Sequence, residues 1–92
     1  MSRAEVWLVD DDASIRYVLT EALQDAGYPV HSFELADAAL QALKTDALPA
    51  LIITDIRMPG TSGIDFLELV KKAHPNLPMI VMSAFTDIAN TA

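Results

Sequence analysis

A doubly wound α/β domain on a parallel sheet is the fold class this sequence predicts, and three observations predict it. Three short apolar runs, at 6–9, 51–54 and 79–82, and one alternating run at 30–33 recur along the chain. Stretches with apolar residues at helical spacing separate them. The first run is apolar on both faces, as a parallel strand covered by helices on each side must be. This alternation of strand and helix, joined by right-handed crossovers, places helices on both faces of one sheet. With 92 residues, 52% of the hydrophobic set and 21% charged, the chain is sized for one packed domain and not for disorder.

Val6-Trp7-Leu8-Val9 is β-branched and aromatic and is stopped by Asp10-Asp11-Asp12, which marks a buried strand. Ile15, Val18, Leu19, Ala22 and Leu23 then recur at helical spacing up to Gly27, a C-terminal stop. Val30-His31-Ser32-Phe33 alternates, predicting a shorter and more exposed strand. Ala36, Ala39, Leu40 and Leu43 mark a second helix, which the Leu48-Pro49 break ends. Leu51-Ile52-Ile53-Thr54 is the strongest strand signal, closed by Asp55. After a Pro/Gly-rich connection, Ser62 with Asp65 fits a capping box opening a helix that buries Ile64, Leu67 and Val70 and closes at His74-Pro75. Met79-Ile80-Val81-Met82 is a fourth strand, and a further helix is expected to start at Thr86 or Asp87.

Six Lys+Arg stand against thirteen Asp+Glu, a formal net charge of −7. Such a balance argues against holding a nucleic-acid backbone or an anionic membrane, both of which need clustered cations. It suits a cation or a basic patch on a partner protein. Cysteine is absent, which removes disulfides, thiolate metal sites and thiol nucleophiles. No signal-peptide core fits before Asp10, and no apolar stretch approaches the about 18 residues of a membrane span. A soluble, cytoplasmic chain is the expectation.

Ligands of such sheets gather beyond the carboxyl ends of the strands, and the aspartates sit at those ends. If the first and third strands are neighbours, about 5 Å apart, Asp10, Asp11, Asp12 and Asp55 face one crevice. Carboxylates crowded together raise each other's pKa, and a hard divalent cation such as Mg²⁺ relieves the repulsion. A carboxylate beside such an ion is also a competent nucleophile toward a phosphoryl group. Plainer roles compete. Asp12 is well placed to cap the first helix, turns favour Asp in any case, and the hydroxyl of Ser83 can satisfy a strand end as readily as a phosphoryl oxygen. His31 and His74 read as surface or helix-end residues, and Trp7, Met79 and Met82 as packing.

Val9-Asp10-Asp11-Asp12-Ala13-Ser14-Ile15-Arg16, Thr54-Asp55-Ile56-Arg57-Met58-Pro59-Gly60 with Gly63, and Val81-Met82-Ser83-Ala84 resemble the receiver domain of two-component response regulators. In detail they are most similar to the NtrC-type nitrogen regulators that control sigma-54 promoters. The resemblance implies a flavodoxin-like sheet of strand order 2-1-3-4, with Asp55 accepting a phosphoryl group from the phosphohistidine of a sensor histidine kinase. It implies Mg²⁺ held by Asp11 and Asp55, the backbone carbonyl of Arg57 and, in part, Asp10. Ser83 takes the place of the switch hydroxyl, and the segment from Ala84 onward becomes the bistable element. The domain is then a regulatory phosphoacceptor and not an enzyme.

The family also has a fifth strand, a fifth helix and a Lys after that strand, whereas no lysine follows Lys72 here. Residues 1–92 are therefore expected to form one receiver, incomplete at its C-terminal side and without output ATPase or DNA-binding domains. A second copy is expected to pair through the exposed strand-four edge or the helix-four face. One competing class is a phosphatase of haloacid-dehalogenase type, with Asp10 as nucleophile and Asp12 as general acid, which leaves Asp55 without a role. A nucleotide-binding module lacks its Gly-rich signatures here; a docking-only pseudo-receiver is opposed by the intact Asp55 but stays open as the behaviour of a receiver without its C-terminal part.

Overall fold

A computed structural model of the chain describes residues 5–45, 48–56 and 60–82. The elements run β1 (Val6–Val9), α1 (Ala13–Asp25), β2 (Val30–Phe33), α2 (Ala36–Thr45), β3 (Leu51–Asp55), α3 (Gly63–Ala73) and β4 (Met79–Met82). The four strands form one parallel sheet in the order β2-β1-β3-β4. The predicted fold class and strand order are those observed. The helix expected after Ser83 lies outside the described residues.

Register decides what each face of the sheet holds. Trp7 pairs with His31 and Ile52, and Val9 with Phe33 and Thr54, so these residues share a face. On that face Trp7, Val9, Phe33 and Ile52 pack with Ala36 and Ala39 of α2, Phe66 and Val70 of α3, and Leu77. His31 is exposed yet lies edge-on to Trp7 at 5.8 Å between ring centroids. The opposite face carries Leu8, Ile53 and Ile80 in register. There α1 packs against β1 and β2 and Leu8 is fully buried, yet Ile15, Val18 and Ile80 remain 42%, 61% and 50% exposed. α1 forms as its periodicity predicts, but among the described residues it covers this face only in part.

Local chemistry sets the element ends. Asp12 caps α1, its carboxylate accepting from the N–H groups of Ser14 and Ile15 at 2.8 and 3.2 Å. At the other end Gly27, at φ +96°, closes a Schellman motif in which Tyr28 N–H reaches Leu23 and Gly27 N–H reaches Gln24. Ser62 caps α3 by accepting from Asp65 N–H at 3.2 Å. The buried face of α3 corrects the expectation: Phe66 and Val70 are buried, Leu67 is half-buried and Ile64 is 45% exposed. The large ring of Phe66 claims the core, and Gly63 must lie innermost at the start of the helix. That rotates Ile64 outward.

Candidate functional site

The strand ends bring the acids together. Asp10, Asp11 and Asp55 each place one carboxylate oxygen within 4.8 Å of the others, a set that can hold a metal ion. Parallel pairing of β1 with β3 makes this unavoidable, because Val9 is in register with Thr54 and the next residue of each strand is an aspartate. The three differ in exposure: Asp10 is 3% exposed, Asp55 half-buried and Asp11 open to solvent. An arrangement of two supported carboxylates and one open one is what an oxygen-loving cation approached from solvent requires.

Asp10 and Asp55 are held by backbone groups. Asp10 N–H donates to Phe33 O at 3.1 Å, and Asp10 Oδ1 accepts from Asp12 N–H at 2.9 Å. Arg16, one turn into α1, donates from Nη1 to the Asp10 carbonyl at 2.6 Å, tying helix to strand end. Burial pushes the Asp10 carboxyl above its ordinary value of 3.8, partly opposed by the Asp12 N–H, and the charges of Asp55, Asp11 and Asp12 push it the same way as burial. On β3, Ile56 N–H donates to Asp55 Oδ1 at 2.8 Å and fixes the carboxylate. Asp12 belongs to the helix cap, not to the cluster, so the acidic run divides its labour within three residues.

The chain leaving Asp55 is equally constrained. Gly63 N–H donates to Ile56 O at 2.9 Å, folding the start of α3 back onto the end of β3. A Cβ on Gly63 would stand 2.0 Å from Asp55 O, so only glycine permits this approach. Met82 is in register with Asp55, which puts the residue before Ser83 beside the acid. Ser83 itself and Arg57 lie outside the described residues. A cavity of about 510 Å³ opens at the opposite end of the strands, lined by Leu48, Pro49, His74 and Pro78 among others, and is remote from these acids.

Among residues the sequence reading passed over, Asp37 and Thr61 meet across 24 positions, Thr61 Oγ1 donating to Asp37 Oδ1 at 2.5 Å. Neither belongs to a motif, and only the fold brings them together.

A parallel 2-1-3-4 sheet with a convergent acidic rim defines a class of signalling α/β domain. The chain belongs to the response regulator receiver domain family, which matches residues 6–92. The DNA-binding transcriptional regulator NtrC of Klebsiella pneumoniae is 46% identical over 88 residues, covering 96% of this chain and 19% of that protein. The C4-dicarboxylate transport transcriptional regulatory protein DctD of Rhizobium meliloti is 39% identical over 83 residues, or 90% of this chain and 18% of that one. The chain thus spans about a fifth of the length of these curated relatives. Among solved structures, a response regulator receiver protein of Pseudomonas putida superposes with a TM-score of 0.84 at 30% identity, covering 99% of this chain and 76% of that one. The Thermotoga maritima response regulator TrrA, in complex with Mg²⁺ and a beryllium fluoride, gives 0.85 at 31% identity over 91% and 72% of the two chains.

Proposed function

We propose that this domain accepts a phosphoryl group on Asp55 from a sensor histidine kinase, with Mg²⁺ as cofactor, and so switches a cytoplasmic transcriptional regulator of the NtrC type that governs nitrogen-responsive, sigma-54-dependent promoters. The observation that carries the reading is the convergence of Asp10, Asp11 and Asp55 at the end of two neighbouring strands. The likeness to NtrC over 96% of the chain and to TrrA, which holds Mg²⁺ and a beryllium fluoride, supports it.

In the transfer an Asp55 carboxylate oxygen forms a bond to phosphorus as the phosphorus–nitrogen bond of the phosphohistidine breaks, the electron pair returning to the imidazole. Asp11, Asp55, the Arg57 carbonyl and Asp10 would hold Mg²⁺, which supplies charge neutralisation to the incoming phosphoryl oxygens. The Ile56 N–H on Asp55 Oδ1 orients the nucleophile. Ser83, following the residue in register with Asp55, would donate its hydroxyl to a phosphoryl oxygen and draw the segment after it inward. The acyl phosphate carries about −1.5 to −2 charge where the carboxylate carried −1, and it adds phosphoryl oxygens that accept hydrogen bonds at the rim. The domain acts on its own side chain and turns over no external substrate. Asp12 is spent as the cap of α1, accepting from two backbone N–H groups. That disfavours the phosphatase alternative, which needs Asp12 as a general acid.

Incubation with acetyl phosphate and Mg²⁺ tests the reading. The wild-type chain is expected to gain one alkali-labile, hydroxylamine-labile phosphoryl group, read by mass spectrometry, and Asp55→Asn none. Labelling retained in Asp55→Asn and lost in Asp10→Asn would overturn it in favour of the phosphatase.

A further inference from the structure

We propose that Asp37 is a positioning residue of the acidic site, a latch that holds Thr61, just ahead of α3, against the first turn of α2. The inference rests on the phosphoacceptor reading of that site and extends it to a residue outside the cation cluster. Asp37 sits in the first turn of α2, and its carboxylate meets Thr61 and lies beside Gly60. Oδ1 accepts from Thr61 Oγ1 at 2.5 Å. Oδ2 lies where a Cβ on Gly60 would approach it to 3.3 Å, and Gly60 adopts φ +77°, a conformation that favours glycine.

The latch acts beside a contact already made, Gly63 N–H donating to Ile56 O at 2.9 Å. Thr61 stands two residues before Gly63, so its bond to Asp37 anchors the approach to that contact from the side. Ile56, the acceptor there, also holds the Asp55 carboxylate through its own N–H. Orientation errors at Thr61 are therefore passed to the group that fixes Asp55. A first-turn aspartate also has a plainer role, favourable interaction with the helix dipole. That role depends on charge, whereas the latch depends on an acceptor oxygen.

The distinction is testable with Asp37→Asn, which keeps the acceptor and loses the charge, and Asp37→Ala, which loses both. Mg²⁺ affinity of the 92-residue chain is measured by calorimetry, well below the melting temperature of each variant. Asp37→Ala and Thr61→Val are expected to weaken Mg²⁺ binding roughly three- to tenfold, with the double variant no weaker than either single one. Asp37→Asn and Thr61→Ser are expected to stay within about twofold of wild type. Should Asp37→Ala fold poorly, the Thr61→Val and Thr61→Ser pair carries the same comparison. Wild-type affinity in Thr61→Val, or equal weakening by Asp37→Asn and Asp37→Ala, overturns the latch. Asp11→Asn is the companion control: if it leaves Mg²⁺ affinity unchanged, or wild type binds no Mg²⁺, the reading of the site falls and the latch with it.

Discussion

Asp10 concentrates the conflict of the site in one side chain, being nearly excluded from solvent and surrounded by charges of its own sign. Its folded carboxyl is easier to protonate than its unfolded one, so the native state binds more protons than the unfolded chain in the intervening range. Its contribution to stability is therefore fully present below the ordinary value of 3.8 and is lost as pH rises through the elevated folded value. In metal-free buffer at neutral pH, Asp10→Asn is expected to raise the melting temperature, by roughly 4–8 °C per kcal/mol of relieved strain. The gain should shrink as pH falls toward 3.8, and thermal melts across the range check it. Gly63 makes the opposite demand. Gly63→Ala drives a methyl to 2.0 Å from Asp55 O, and a loss of about 3 kcal/mol or more is expected, measured by urea denaturation.

Helix ends and helix faces differ in how plainly they are written. Asp12→Ala removes an acceptor for two backbone N–H groups and is expected to cost about 1 kcal/mol, visible as a lower urea midpoint. That cap, the Gly27 stop and the Ser62 cap were legible because each depends on one residue's own backbone chemistry. β1, β3 and β4 were legible because parallel strands under helices carry nearly unbroken apolar runs, and β2 by the alternation of Val30-His31-Ser32-Phe33. From that order the juxtaposition of Asp10, Asp11 and Asp55 follows, since pairing of the first and third strands aligns their ends. What the sequence did not disclose depends on packing. The inward side of α3 is set by Phe66 and by the approach of Gly63 to β3, not by Ile64, and helical spacing alone admits both phases. The Asp37–Thr61 contact joins two unremarkable surface residues through the tertiary fold, so no local pattern announces it.

At the scale of the molecule, the two faces of the sheet are unequal among the described residues. The α2–α3 face holds the contiguous core, while the α1 face leaves Ile15, Val18 and Ile80 substantially exposed. Exposed apolar surface on a sheet face favours association, and the 92-residue chain is expected to self-associate with rising concentration. Ile80→Lys, at a position 50% exposed, should shift the sedimentation profile toward monomer without lowering the melting temperature. Unchanged association would place the contact elsewhere. Charge is unequal as well, the net −7 including three carboxylates gathered at the one rim where a cation and then a phosphoryl group would enter.

Amide NMR during a Mg²⁺ titration interrogates that rim most directly. Saturable, single-site shifts concentrated at Asp10, Asp11, Asp55 and Ile56, and abolished in Asp11→Asn, are expected. Shifts spread evenly over the acidic surface, or a spectrum indifferent to Mg²⁺ at millimolar concentrations, would contradict this expectation.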